Sequence, residues 1–208
     1  MGRYEYGTPG GALEGDVFSD RRGAANVGAI GERKTADLLR IIQQERHPNH
    51  RFAVVHDVML PSDRYTANID HIVIAGKKVL IIDSKVWSAG FYFTVRGHTY
   101  VFHSKKTKNT HNKTLSRFDA GDHRTLPMTL SVLQEWTLNN GFYPVTFMTP
   151  VMLVWPPEGK QNPSLRFYSP QGSVKAISPE KARVRLANMI PNQAPDPRLL
   201  DLFRSLLG

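Results

Sequence analysis

One stretch constrains this chain more than any other: NIDHIVIAGKKVLIIDSK, from Asn68 to Lys85. Two apolar runs flank Gly76-Lys77, and Gly at the first central position of a two-residue loop suits a type II′ hairpin turn. With that turn, Ala75 faces Lys78, and counting outward sets Asp70 opposite Asp83. Side chains alternate along a strand, so Asp70, Asp83 and Lys85 share one face with Ile72, Ile74, Val79 and Ile81. The other face carries Ile69, Val73, Leu80 and Ile82. A hairpin that is apolar on both sides belongs in a sheet covered by a layer on each face, most often helices. Two carboxylates directly opposed, with Cβ atoms about 4.5–5.5 Å apart, repel one another. A divalent cation held between them removes that cost, so the segment reads as a metal-dependent site.

The elements around the hairpin fit the same architecture. Val27 to Glu45 has helical spacing, with Asn26 as its expected cap, and Arg51 to Leu60 reads as a strand stopped by Pro61. A second strand pair, Phe91 to Val95 and His98 to His103, turns at Arg96-Gly97. Thr129 to Leu138 reads as a helix, followed by strands at Val145 to Thr149, Val151 to Trp155 and Leu165 to Tyr168. Ser178-Pro179 and Asp196-Pro197 each combine a cap residue with a first-turn proline and open two C-terminal helices. The order predicts an α/β fold, a mixed sheet flanked by helices. The expected organisation is a loose N-terminal arm over 1–25, a core domain over 26–175, and C-terminal helices over 176–208 packed on that core.

Composition narrows the function classes. Of 208 residues none is cysteine, which removes disulfides, thiolate zinc sites and a cysteine nucleophile, and suits a cytoplasmic protein. No apolar run approaches the roughly 20 residues that cross a bilayer, so no membrane partner is expected. The sequence holds no P-loop, GxGxxG, GxSxG or HExxH motif, which argues against nucleotide hydrolase, dehydrogenase, esterase and zincin chemistry. A formal charge of +9 favours a polyanionic partner. The basic stretch from Ser104 to Arg124 is read as a polar loop whose Lys105, Lys106, Lys108, Lys113, Arg117 and Arg124 would contact phosphates.

The chemistry at the hairpin then takes a definite form. Magnesium or manganese takes hard oxygen ligands and keeps several waters. Asp70 and Asp83 could bridge such an ion, with a backbone carbonyl near Ser84 as a further ligand. Lys85 stands two residues from Asp83, placed to orient an attacking water and to stabilise charge on a phosphate. An acidic residue at a strand end, followed by Asp83-Ser84-Lys85 on the next strand, resembles the signature of the PD-(D/E)xK nuclease superfamily. The wider text is more specific: Gly31-Glu32 opening a helix, His56-Asp57-Val58 to Pro61 on a strand, then Ile69 to Ile74 and Leu80 to Lys85. With Gly90 and the following strand pair, this series resembles the nuclease-related domain family, NERD, over about Gly28 to Phe102.

That resemblance implies a restriction-endonuclease-like fold and a Mg2+- or Mn2+-dependent nuclease that hydrolyses phosphodiester bonds in DNA in preference to RNA. It makes Glu32 the helical acidic residue near the metal, and helical arithmetic puts Glu32 on the same face as Leu39. It also calls for a Gln on a later helix near the substrate, for which Gln134 is the candidate. The triplet opens on Asp83 where Glu is the usual family choice. Two alternatives therefore stand beside the nuclease: a nucleic-acid-binding module that no longer cuts, and a protein-interaction component.

Overall fold

The computed structural model describes residues 4–11, 22–46, 52–62, 64, 67–106, 111–119 and 125–207; the side chains of 22–25, 104–106 and 111–112 lie outside that description. In chain order the elements are β1 (Glu5–Tyr6), α1 (Arg22–Glu45), β2 (Ala53–Met59), β3 (Asn68–Ala75), β4 (Lys78–Val86), β5 (Phe91–Val95), β6 (His98–Lys106) and β7 (His111–Arg117). There follow α2 (Thr125–Asn139), β8 (Thr146–Phe147), β9 (Val151–Trp155), β10 (Ser164–Phe167), β11 (Lys175–Ile177), α3 (Pro179–Met189) and α4 (Pro197–Arg204). The main sheet runs β1-β2-β3-β4-β9-β11, with β8 also on β4, and a second sheet runs β10-β5-β6-β7. The result is the expected mixed α/β architecture, consistent with a restriction-endonuclease-like fold.

The hairpin turn sets the central register. Gly76 has φ +59 whereas Lys77 does not enter the left-handed region, as a type II′ turn requires. Ala75 pairs with Lys78, and the antiparallel ladder runs out to His71↔Ile82. The two apolar faces enter two different cores. Ile72, Ile74, Val79 and Ile81 pack with Leu133, Leu199, Phe203 and the second sheet. Val73, Leu80 and Ile82 pack beneath Leu38, Leu39 and Ile42 of α1 and Ala182 and Leu186 of α3. Ile69 departs from the alternation and joins the first of these cores with its partner Val58, because the chain bends at their neighbour Asp57, which has φ +54.

Several expected elements change extent. The N-terminal arm is not loose over its described residues: Glu5 and Tyr6 add a parallel strand to β2. Its anchor is Glu5, whose buried carboxylate receives Arg40 Nη2 at 2.6 Å and faces His56 Nε2 at 3.0 Å. Helix α1 begins at Arg22, so Asn26 lies inside it and does not cap it. The basic loop expected over 104–124 is in large part a hairpin, β6 pairing with β7 from Tyr100↔Arg117 to Lys106↔His111. Its side chains from 113 to 117 are exposed, so the strand carries no apolar periodicity to announce it.

The C-terminal helices start where the proline signals place them. Asp196 Oδ1 accepts the amides of Arg198 and Leu199, capping α4, while Ser178 makes no side-chain cap. Arg46, just after α1, donates to the carbonyls of Ala187 and Ile190 at the end of α3, which ties the two helices together. The second sheet is joined to the first through Trp87, whose ring meets Tyr92, Phe118 and Tyr168 at 4.8–5.2 Å.

Candidate active site

The acidic residues gather where the β3–β4 ladder opens. The last ladder pair is His71↔Ile82, one step short of Asp70 and Asp83. At that step the Ser84 amide donates to Asp70 Oδ2 at 2.6 Å, so the Asp70 side chain takes the place of a strand partner. Lys85 Nζ lies 2.7 Å from Asp83 Oδ1, with side-chain exposures of 30% and 18%. Glu32, only 7% exposed, comes from the helix above and accepts the Gly10 amide. Gly31 lets that helix approach: a Cβ there would stand 2.8 Å from Val86 Cγ2.

A fourth carboxylate completes the cluster, and the sequence reading did not single it out. Asp57 lies on β2 between the pairs His56↔His71 and Val58↔Ile69, which sets it opposite Asp70. Asp57, Asp70 and Asp83 therefore stand side by side across three neighbouring strands. Like charges in directly opposed positions destabilise a sheet. Asp57 also adopts φ +54, a conformation disfavoured by a residue with a Cβ, and its Oδ1 accepts Asn68 Nδ2 at 2.9 Å.

The electrostatics follow from this crowding. Burial, with repulsion from Asp57 and Asp83, lifts the Glu32 carboxyl to about 7, against the pull of the Gly10 amide and Lys85. Burial, then repulsion from Asp83 and Glu32, raises Asp70 well above the usual carboxylate range, although Lys85 and the Ser84 amide oppose the rise. Burial disfavours the Lys85 ammonium, but Asp83, Asp70 and Glu32 outweigh it and raise its pKa. Lys85 is thus held among three carboxylates.

Beside the cluster, between α1 and the sheet, runs a buried hydrogen-bond chain. Trp155 Nε1 donates to Thr35 Oγ1 at 2.8 Å; Thr35 Oγ1 meets Ser84 Oγ at 2.7 Å; Ser84 Oγ meets His71 Nε2 at 3.1 Å. His71 Nδ1 meets His56 Nδ1 at 2.7 Å, and His56 Nε2 meets Glu5 Oε1. Every proton is placed if each donor points toward Glu5, which requires both imidazoles to be neutral. Burial holds both histidines below their usual pKa, in accord with that requirement. The chain fixes Ser84, whose amide in turn holds Asp70.

Of the expected site residues, Glu32, Asp70, Asp83, Ser84 and Lys85 meet here. Gln134 does not share their enclosed surroundings; it is exposed on α2 beside the buried Leu133. Lys113 and Arg117 are exposed on β7, and Arg117 pairs with Asp119 at 2.5 Å. Lys108 and Arg124, and the side chains of Lys105 and Lys106, lie outside the described residues.

The donor set is chemically suited to a hard divalent cation: carboxylate oxygens gathered at one strand end, with Glu32 and Asp70 raised in pKa by burial and by neighbouring acids. Among the described residues no three Asp, Glu or His groups form a ligand cage. Magnesium needs only one or two carboxylates when it keeps its waters, so the pair Asp70 and Asp83 is sufficient. No helix among the described residues is long and apolar enough to cross a membrane.

Residues 27–122 match the family model described as nuclease-related domain, NERD. No curated protein and no solved structure matches the chain.

Proposed function

Since residues 27–122 match the nuclease-related domain family model, we propose that the protein hydrolyses phosphodiester bonds of nucleic acid, DNA in the first instance, with a divalent metal as cofactor. The observation that supports this reading most is the convergence of Glu32, Asp70 and Asp83 on Lys85 at the open end of the hairpin, with Asp57 beside Glu32. Carboxyls raised by burial and by like charge gather at functional sites.

Asp70 and Asp83 would hold Mg2+ or Mn2+. A bound divalent ion supplies charge neutralisation at the phosphate and makes a nearby water more acidic. Lys85, held by Asp83, orients the attacking water and offsets charge developing on the phosphate oxygens. Glu32, with its carboxyl near neutrality, would take a proton from that water. The Ser84 amide keeps Asp70 in position throughout.

The test is a cleavage assay on labelled DNA with magnesium or manganese, comparing parent with Lys85→Ala. The expected result is loss of cleavage with folding and DNA affinity retained. Equal cleavage by both proteins rejects the assignment. Asp83 in place of the usual Glu of the triplet, and the exposed position of Gln134, favour as second reading a scaffold that binds nucleic acid without cutting it. Salt-dependent binding with no cleavage under either ion would select that reading.

A further inference from the structure

The second sheet has an unusual outward face. Tyr92, Thr99 and Val101 point into the protein and are almost wholly buried. Alternation turns their neighbours Phe91, Phe93, Tyr100 and Phe102 to the other side. The register sets Phe91 opposite Phe102 and Phe93 opposite Tyr100, with Phe167 of β10 beside Phe93 and Leu115 of β7 beside Phe102. The rings form a connected surface. Phe93 and Tyr100 stack at 5.7 Å with planes 21° apart, and Phe91 meets Phe93 and Phe167 at 5.8 Å each. Phe167 and Leu115 are each 60% exposed. An apolar patch open to water marks a binding surface.

Charge indicates what binds there. The sheet order β10-β5-β6-β7 puts cations at both edges of the aromatic floor. On β10 the Arg166 guanidinium lies 5.4 Å from the Phe167 ring centre, and on β7 Lys113 and Arg117 alternate with Leu115 on the same side. Past β10 a groove of about 680 Å³ adds Lys181 and Arg185 to Arg166, with Glu180, bonded to Asn162, as its carboxylate. Asp119, paired with Arg117, is the acidic group at the other edge among the described residues. Four strands about 4.8 Å apart make a floor roughly 14 Å wide, enough for a row of bases between the two basic borders.

We propose that this face binds single-stranded nucleic acid, unpaired bases stacking on Phe93, Tyr100 and Phe167 and phosphates meeting Arg166 on one side and Lys113 and Arg117 on the other. A duplex hides the base faces such a floor recognises, whereas a strand offers both flat rings and charge. The site is separate from the acidic cluster and does not depend on cleavage.

The test uses the full chain in EDTA, so that loss of hydrolysis cannot mimic loss of binding. Anisotropy of a labelled oligothymidylate of about 12 nucleotides, an oligouridylate and a DNA duplex is measured for parent, Phe167→Ala, Phe167→Tyr and Lys113→Ala. Phe167→Ala should weaken both single strands roughly tenfold, the size of one lost stacking contact, with little effect on the duplex. Phe167→Tyr should stay near parent, and Lys113→Ala should flatten the salt dependence by about 0.7 in log–log slope. Phe167 is exposed, so melting temperatures should not move. Unchanged single-strand affinity in Phe167→Ala overturns the proposal. So does a parent dimer, seen by sedimentation, that dissociates in Phe167→Ala while oligonucleotide affinity holds, since the face would then join two copies of the chain.

Discussion

Replacing Glu32 by Gln should stabilise the protein in alkaline solution and leave it nearly unchanged in acid. Folding raises the Glu32 carboxyl from the usual 4.5 to about 7. Between those values the folded chain binds more protons than the unfolded one, so this group makes stability fall as pH rises. Its cost is under about 1 kcal/mol at pH 5 and reaches about 3 kcal/mol at pH 8, at about 1.4 kcal/mol per tenfold change in proton affinity. Glu32 is nearly enclosed, so solvent screening removes little of this. Gln matches the shape of the protonated acid and can still accept the Gly10 amide. For a chain of this length about 3 kcal/mol corresponds to roughly 6–12 °C in melting temperature. Thermal melts of parent and Glu32→Gln at pH 5 and pH 8, without divalent ions, measure the difference directly. A gap of the same size at both pH values, or a variant less stable at pH 8, would refute the reasoning, because neither can arise from a carboxylate held against its neighbours.

Further outcomes follow from the same structure. In the double variant Glu32→Gln, Asp70→Asn those two carboxyls no longer titrate, and stability in urea should drop as pH falls below about 6.5. His56 and His71 are held below their usual pKa in the fold, so the unfolded chain takes up protons first; stability that is flat from pH 7 to pH 5 would contradict the neutral hydrogen-bond chain. Ser84→Ala leaves His71 Nε2 without its partner, while the Thr35 hydroxyl keeps the Gly31 carbonyl and the Trp155 indole, and should cost about 1–3 kcal/mol in chemical denaturation. Asp57→Gly should be about 1 kcal/mol more stable than Asp57→Ala, since both lose the Asn68 contact but only Gly relieves φ +54; equal melting temperatures would show that the backbone there is unstrained.

What could be read from the sequence depended on how local the determinant was. The β3–β4 register was legible because one glycine fixes the turn and every later pair is counted from it. The helix starts at Pro179 and Pro197 were legible for the same reason, a proline at the first turn being a local signal. Strand β7 was not, because HNKTLSR offers no buried side to give a period, and its pairing with β6 is what makes it a strand. Gln134 was placed through a family expectation and not through any pattern in its own helix, and it is exposed on α2.

Asp57 shows the same limit at the site itself. It is joined to Asp70 through β2 and β3, whose connection is too long for turn counting to set the register, and its left-handed backbone leaves no mark in the sequence. Its position matters because it adds like charge beside Glu32, whose carboxyl is lifted to about 7 by burial and neighbouring acids. Between α1 and the sheet lies a layer in which Thr35, Ser84, His71, His56 and Glu5 hydrogen-bond in sequence, while Arg40 holds the far end. Ser84 joins the two: its hydroxyl belongs to this layer and its amide holds Asp70 where the β3–β4 ladder opens, so the polar layer fixes the acidic cluster in place.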